Sequence, residues 1–282
     1  MPPPPDEPAS AFLAGPIGGL PMPPVPPAPV PALGGLPGPG PKGLPAVGWS
    51  FGRALVVGVV TNLLLAQVLV AAFAFIALGV RNAEDPATVY VGVIGDLAWL
   101  GFMLIWLFRW QPGWRDRIGI ITGRRGVRDA GFGFVGGLLL YPLIVLAIAA
   151  PLTYLFQTLS GSEPTTPDQL PQHLNAAQAF ASVVLAVLIA PVVEELYFRG
   201  VLFRSLRDRH GFWVGAIVSG VIFGLVHYVP APWQDSMLLQ SIMVFTGIAL
   251  AWIYERRGNL VANVAAHMAF NAVGIALILW AR

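Results

Sequence analysis

A small set of ionisable side chains lies inside segments of the chain that are otherwise apolar. An ionisable group in the hydrocarbon of a membrane costs several kcal/mol, so each one needs a partner or a function. These residues are Asp96, Glu194, Glu195, Arg199, His227 and His267. All except Asp96 are in the C-terminal half of the chain. This clustering predicts one buried site in that half.

The motif Glu194-Glu195-x-x-x-Arg199 can supply a general base. On a helix, Glu195 and Arg199 are four residues apart and share a face, so they can form an ion pair. Glu194 is rotated from Glu195 by about 100° and is left free to face another neighbour. A carboxylate without a paired cation can act as a general base. Both glutamates could instead bracket a helix end, but the apolar run continues past them through residues 201–203.

Two further motifs, Phe223-x-x-x-His227 and His267-x-x-x-Asn271, carry the remaining polar groups. His267 and Asn271 are four residues apart on one helical face and can address one ligand. Each motif alone is also compatible with core packing or with interhelical hydrogen bonds. Together with Glu194, they supply a base, an alternative metal site and an oxyanion donor, which suits hydrolysis of an amide by an activated water.

The elements that position these groups must be membrane helices. Hydrophobic residues make up 56% of the 282 residues and charged residues only 11%, about half the charged fraction of a soluble domain. Segments of about 20 apolar residues can cross the hydrocarbon. The sequence therefore predicts an all-α, polytopic transmembrane helical bundle of about seven spans, near residues 54–80, 88–108, 131–157, 178–199, 213–229, 237–254 and 260–280.

Helical rise gives conflicting depths for the two histidines. Counted from the same side, His267 lies roughly 12 Å in from Asn259, whereas His227 lies roughly 21 Å in from Trp213. The two can share a site only if the fifth span begins later, tilts or sits below the interface.

Three regions follow from the composition. Residues 1–50 are rich in Pro and Gly, which predicts a disordered cytoplasmic tail. Residues 51–170 are predicted to form N-terminal transmembrane helices, and residues 171–282 a catalytic transmembrane core. Lys and Arg are concentrated in alternate loops, which predicts a cytoplasmic N-terminus and an external C-terminus.

Several classes of protein are excluded or disfavoured. The chain contains no Cys, which excludes thiol catalysis and Cys-ligated metal, and it has no basic face that would bind nucleic acid. An aspartyl intramembrane protease needs two Asp residues in its membrane spans, and Asp96 has no such second Asp. A rhomboid-like serine protease has a Gly in the motif before its catalytic Ser, and that Gly is absent before Ser219. No His-Glu-x-x-His motif of a site-2-type metalloprotease occurs.

The three motifs, in this order, resemble the CPBP (Abi) family, which comprises the type II CAAX prenyl endopeptidases and their bacterial relatives. The resemblance covers roughly residues 175–280. It implies an intramembrane protease whose site lies in a helical bundle open to the cytoplasm. The substrate would be a membrane-associated or lipidated peptide or protein. The Gly-, Ala- and Pro-rich composition favours a bacterial source, so the protein is expected to be an integral, multi-pass protein of the bacterial plasma membrane.

The resemblance also implies roles for individual residues. Glu194 would be the base, with His227 helping to activate the water. His267 and Asn271 would stabilise the tetrahedral oxyanion. Arg199 would hold the second glutamate of the motif, Glu195.

Two mechanisms fit the same residues. In the favoured one, no cofactor takes part and Glu194 activates the water. In the other, Glu194, His227 and His267 hold Zn²⁺, since two His and one Glu form a known catalytic zinc set. Asn271 is a poor zinc ligand and shares a face with His267, which favours oxyanion work and the metal-free mechanism.

Two non-proteolytic functions remain open from the sequence. A membrane protein that binds a partner or a lipid could use the polar cluster to join its helices. A proton-coupled transporter could use the buried carboxylates as a relay.

Overall fold

The computed structural model describes only part of the chain: Met1, residues 41–62, 68–80, 85, 87–167 and 174–280. Two units are present, residues 1–33 and residues 34–282, and the features below belong to the second. The described residues form helices and no strand. Most of the predicted disordered tail, residues 2–40, lies outside the described part.

The helices follow one another along the chain. They are α1 Phe51–Asn62, α2 Val68–Ala77, α3 Thr88–Trp110, α4 Trp114–Arg117, α5 Gly123–Ser160, α6 Ala176–His210, α7 Phe212–Val226, α8 Trp233–Arg257 and α9 Leu260–Trp280. Five of these helices, α3, α5, α6, α8 and α9, are long and apolar enough to cross a membrane. The protein is a helical membrane bundle, as predicted.

Five of the seven predicted spans fall on these long helices. The first predicted span falls on α1 and α2 and the fifth on α7, which are shorter apolar helices. The long helices and the shorter apolar helices among the described residues together coincide with the predicted spans. The cytoplasmic position of the N-terminus stays a prediction.

The fourth predicted span ends too early, because α6 continues past Arg199 to His210. The sequence places Arg204 in a loop, yet its side chain is fully buried. Its Nη2 donates to Oδ2 of Asp208 at 2.9 Å and to the carbonyl oxygen of Pro45 at 2.7 Å. Because this charge is paired inside the protein, it does not end the helix.

The segment just before α1, which falls within the predicted tail, contacts α6. Val47 is buried, and its backbone N–H donates to Oδ2 of Asp208 at 2.9 Å. Trp49 is fully buried and donates from Nε1 to the carbonyl oxygen of Val201 at 2.9 Å. These two apolar side chains give the end of the proline-rich region enough buried surface to be ordered against α6.

Helices α6 and α7 form a hairpin with nearly equal arms, and this hairpin brings Glu194 and His227 to one level. The turn is at Gly211, whose φ of 85° favours glycine. Glu194 lies 17 residues before Gly211, and His227 lies 16 residues after it. Each arm is therefore about 25 Å long.

The turn between α8 and α9 lies inside the protein, which places His267 at the same level. The segment after α4 covers this turn: the carbonyl oxygen of Ile118 accepts from the Tyr254 hydroxyl at 2.8 Å, and that of Gly119 accepts from the Leu260 N–H at 2.9 Å. Helix α9 therefore begins inside the bundle and not at its surface. This explains how His267, although closer to the start of its helix, lies at the same depth as His227.

Helix α9 also packs unusually close to α5. A Cβ on Gly137 would collide with the backbone carbonyl of Ala266. Small residues let membrane helices approach this closely. The contact fixes the part of α9 that carries His267.

Candidate functional site

The carboxylate of Glu194 lies between the imidazole rings of His227 and His267. Nε2 of His227 is 3.9 Å from one carboxylate oxygen, and Nε2 of His267 is 3.8 Å from the other. Both distances are too long for a direct hydrogen bond. The side chains of Glu194 and His227 are 19% and 21% exposed, whereas that of His267 is only 4% exposed. The Glu194 carboxylate is thus partly accessible to solvent-sized molecules and faces two ring nitrogens.

The other nitrogen of each ring is already held. Nδ1 of His227 is 2.6 Å from the carbonyl oxygen of Phe223, in the last turn of α7. Because a carbonyl oxygen can only accept, Nδ1 is the donor of this hydrogen bond. Nδ1 of His267 is 2.9 Å from Oε1 of Glu195 and donates to that carboxylate. In a neutral imidazole the remaining Nε2 is then an acceptor, and in an imidazolium it is a donor. The Glu194 carboxylate and Nε2 of a neutral His227 can both accept from a water in the space beside Glu194, and a charged His267 can donate to a group there.

Glu195 is the centre of a buried polar network. Nη1 of Arg199 donates to its Oε1 at 2.7 Å, and Nη2 of Arg199 donates to the carbonyl oxygen of Gly247 at 3.1 Å. The side chains of Arg199 and Glu195 are 1% and 0% exposed. The ion pair expected from their spacing is present, and Arg199 also ties α6 to α8.

Asn263 is a member of this network that the sequence analysis missed. Its Nδ2 donates to Oε2 of Glu195, and the whole side chain is buried. The signal was available, because Asn263 lies four residues before His267 and eight before Asn271 on one face of α9. Both Asn263 and His267 hold Glu195, so this carboxylate accepts hydrogen bonds at both oxygens.

Asn271 lies on the same face but contacts a different element. Its Nδ2 donates to the carbonyl oxygen of Ala186 at 2.8 Å. In this widened part of α6 the N–H of Ala190 bonds the carbonyl of Leu185, five residues back. The next N–H in that pattern would satisfy Ala186, but residue 191 is proline and has none. Asn271 supplies the missing donor, and its role at an oxyanion stays a prediction.

Asp96 lies near the same site. It is half-buried on α3 and within Coulombic range of Glu194. The sequence analysis assigned it no role, and its position makes it a third carboxylate near Glu194, after Glu195.

The zinc alternative requires Glu194, His227 and His267 to act as ligands. Within the described ranges, no group of three His, Cys, Asp or Glu residues is spaced to hold a metal ion. Ligand atoms of a tetrahedral zinc site lie about 3.3–3.5 Å apart, given bonds of about 2.0–2.2 Å. The separations of 3.8 and 3.9 Å exceed that. The three donors as placed are therefore too far apart to act as ligands of one zinc ion.

The fold and the polar cluster define a helical membrane protein with a buried Glu and His site. Residues 176–273 match the family model of the type II CAAX prenyl endopeptidases, Rce1-like. This confirms the resemblance drawn from the motifs, and the matched segment contains every candidate residue except Asp96.

Two curated proteins are similar to this chain. YdiL of Bacillus subtilis (strain 168), named as a candidate membrane peptidase, is 29% identical over 89 residues, which is 32% of this chain and 34% of that protein. An uncharacterised 24.3 kDa protein of Escherichia coli is 27% identical over 108 residues, which is 36% of this chain and 48% of that protein. The chain thus spans between a third and a half of these relatives. No solved structure matches it.

Proposed function

We propose that this protein is an intramembrane endopeptidase that hydrolyses a peptide bond of a membrane-associated or lipidated substrate. The observation that carries the proposal is the position of the Glu194 carboxylate between the Nε2 atoms of His227 and His267. The match to a family of membrane endopeptidases and the similarity to a protein named as a membrane peptidase support peptidase activity in general.

In the first step, Glu194 activates a water molecule. The carboxylate takes one proton from the water, and the water oxygen attacks the carbonyl carbon of the scissile peptide bond. His227 accepts a hydrogen bond from the same water at Nε2 and so orients the attacking lone pair. The carbonyl π electrons move onto oxygen and form a tetrahedral oxyanion.

In the second step, donors on α9 stabilise that oxyanion. A doubly protonated His267 donates from Nδ1 to Glu195 and from Nε2 to the oxyanion. Glu195 stabilises the imidazolium, in the way that a buried carboxylate supports a catalytic histidine. Asn271 offers the oxyanion the amide hydrogen that Ala186 does not take.

The oxyanion then collapses and the C–N bond breaks. Glu194 returns its proton to the departing amine nitrogen, which leaves a carboxylic acid on the acyl product and a free carboxylate on the enzyme. Every proton is thus accounted for by the water, Glu194 and the two products.

The proposal is tested by cleavage of a reporter peptide library, with and without lipid groups, by the purified protein in detergent. Mass spectrometry of the products gives the cleaved bond. The wild type should cleave at least one peptide, and Glu194→Ala should cleave none. Glu163→Ala is the matched control, because Glu163 is exposed in the loop after α5. Equal cleavage by Glu194→Ala would overturn the proposal, as would a folded wild type that cleaves no member.

A further inference from the structure

The last turns of α8 carry a tryptophan and an arginine with a groove on either side. One groove, of about 540 Å³, lies between α5 and α8 and is lined by Phe132, Gly136 and Ile253. The other, of about 500 Å³, lies towards the start of α7 and is lined by Phe212, Trp213 and Glu255. The two grooves share the side chains of Trp252 and Arg256. Phe212 follows the turn at Gly211. This region therefore lies about one arm of the α6–α7 hairpin, or about 25 Å, from Glu194.

Arg256 is available to bind an anion. It is exposed, and its guanidinium lies 5.2 Å from the centre of the Trp252 ring. Within the part of the chain that the structure describes, no carboxylate pairs with it. The nearest candidate, Glu255, is bound by Arg207, with two contacts of 3.0 and 3.2 Å from Nε.

The surroundings of the grooves carry an excess of positive charge. The single carboxylate of Asp129 has three arginines within 4 Å, since Arg257, Arg128 and Arg125 approach it to 3.0, 3.7 and 3.8 Å. One negative charge cannot neutralise three positive ones. The potential near Arg256 therefore favours a ligand with net negative charge over a zwitterion.

We infer that this end of α8 binds an anionic phospholipid. Its phosphate would pair with Arg256, and its two acyl chains would lie along the apolar side chains of the two grooves on either side of Trp252. Basic pockets between membrane helices bind anionic headgroups in this way, and tryptophan is favoured at the membrane interface. A free anion would use the arginine alone, whereas a lipid uses the arginine and both grooves.

Gly136 offers a way to block a groove without disturbing the helices. A Cβ at Gly136 would have only the Cδ1 of Ile253 within 4 Å, at 3.9 Å. A leucine there would extend into the groove. At Gly133, by contrast, a Cβ would collide with the backbone of Ala262, so that position cannot be used.

The test is native mass spectrometry of the full chain in neutral detergent, titrated with phosphatidylglycerol or phosphatidylcholine. The wild type should retain phosphatidylglycerol more strongly. Arg256→Gln should weaken that binding about fivefold, and Gly136→Leu should weaken it at least as much. Arg124→Gln is the matched control, because it removes the same charge from an exposed position outside both grooves.

Five results would overturn the inference. Equal retention of the two lipids would remove the selectivity for negative charge. An equal loss in Arg124→Gln would show only general attraction to a basic surface. Competition by glycerol phosphate as strong as by the lipid, or unchanged binding in Gly136→Leu, would reduce the site to a free-anion site. Adducts with the mass of a second chain, lost in Arg256→Gln, would assign the surface to self-association.

Discussion

Nδ1 of His267 donates to the carboxylate of Glu195 at 2.9 Å, while Nε2 of the same ring points towards the neighbouring carboxylate of Glu194. Two adjacent residues of one helix therefore address the two nitrogens of one imidazole. The fully buried glutamate fixes the ring, and the partly exposed one faces the opening. This arrangement divides the pair into a supporting carboxylate and a reactive one.

Asn263 should matter for activity although it does not face the opening. Asn263→Ala removes a hydrogen bond to the buried carboxylate of Glu195, worth about 1.5–3 kcal/mol. Asn263→Asp should be worse than Asn263→Ala, because a second carboxylate would then lie against Glu195. Thermal unfolding in detergent and turnover of the reporter peptide should both follow the order wild type, Ala, Asp. The Asp variant matching wild type would remove Asn263 from the network.

Asn271 should show two separable roles. As an oxyanion donor, its loss in Asn271→Ala should lower turnover by about 10²–10³. As the partner of the Ala186 carbonyl, its loss should also lower the thermal stability. Pro191→Ala restores a backbone N–H that can bond Ala186, so in that background Asn271→Ala should destabilise the protein less.

A double-mutant cycle on the unfolding temperature and on turnover distinguishes these roles. Rescue of stability without rescue of turnover is the expected pattern. If Pro191→Ala restores both, Asn271 acts only by holding α6, and the oxyanion role is wrong.

The N-terminal region should divide between its proline-rich part and the segment that contacts α6. Deletion of residues 2–40 should leave turnover and stability nearly unchanged, because this Pro- and Gly-rich stretch has few side chains able to build a core. Deletion of residues 2–49 also removes the bonds of Val47 and Trp49 to α6, and it should lower the unfolding temperature in detergent. Equal stability of the two truncated proteins would show that the Trp49 contact contributes nothing.

Chelation separates the two ways of activating water. The separations of Glu194 from His227 and His267 do not fit zinc, so turnover should survive exhaustive treatment with a chelator. Zinc added back should not raise it. If the chelated enzyme has no activity and one equivalent of zinc restores turnover, His227 and His267 are zinc ligands instead.

The site was predictable where it depends on spacing along one helix. The ion pair of Glu195 with Arg199 follows from their four-residue separation. The same rule pairs Arg204 with Asp208 and so extends α6, whereas the concentration of arginines after Arg199 predicts a loop there. The error arose because charge indicates a loop only when it is solvated, and solvation depends on what packs nearby.

Contacts between distant segments were not predictable from local pattern. Asn271 bonds Ala186 because Pro191 leaves that carbonyl without a donor, and this requires knowing that α9 crosses α6 there. The order in residues 44–50 depends on a site for Trp49 that α6 provides. The equal depth of the histidines depends on a turn at Gly258 that other segments cover.

In the proposed mechanism, the Glu194 carboxylate is the base that activates the attacking water. Turnover of the reporter peptide by Glu194→Gln measures this role, because the amide keeps the shape of the side chain and cannot take the proton. With the fold intact by thermal unfolding, and with Glu163→Gln as fully active control, we expect no detectable cleavage. Turnover by Glu194→Gln within about tenfold of wild type, less than the 10²–10⁴ that a general base contributes, would contradict it.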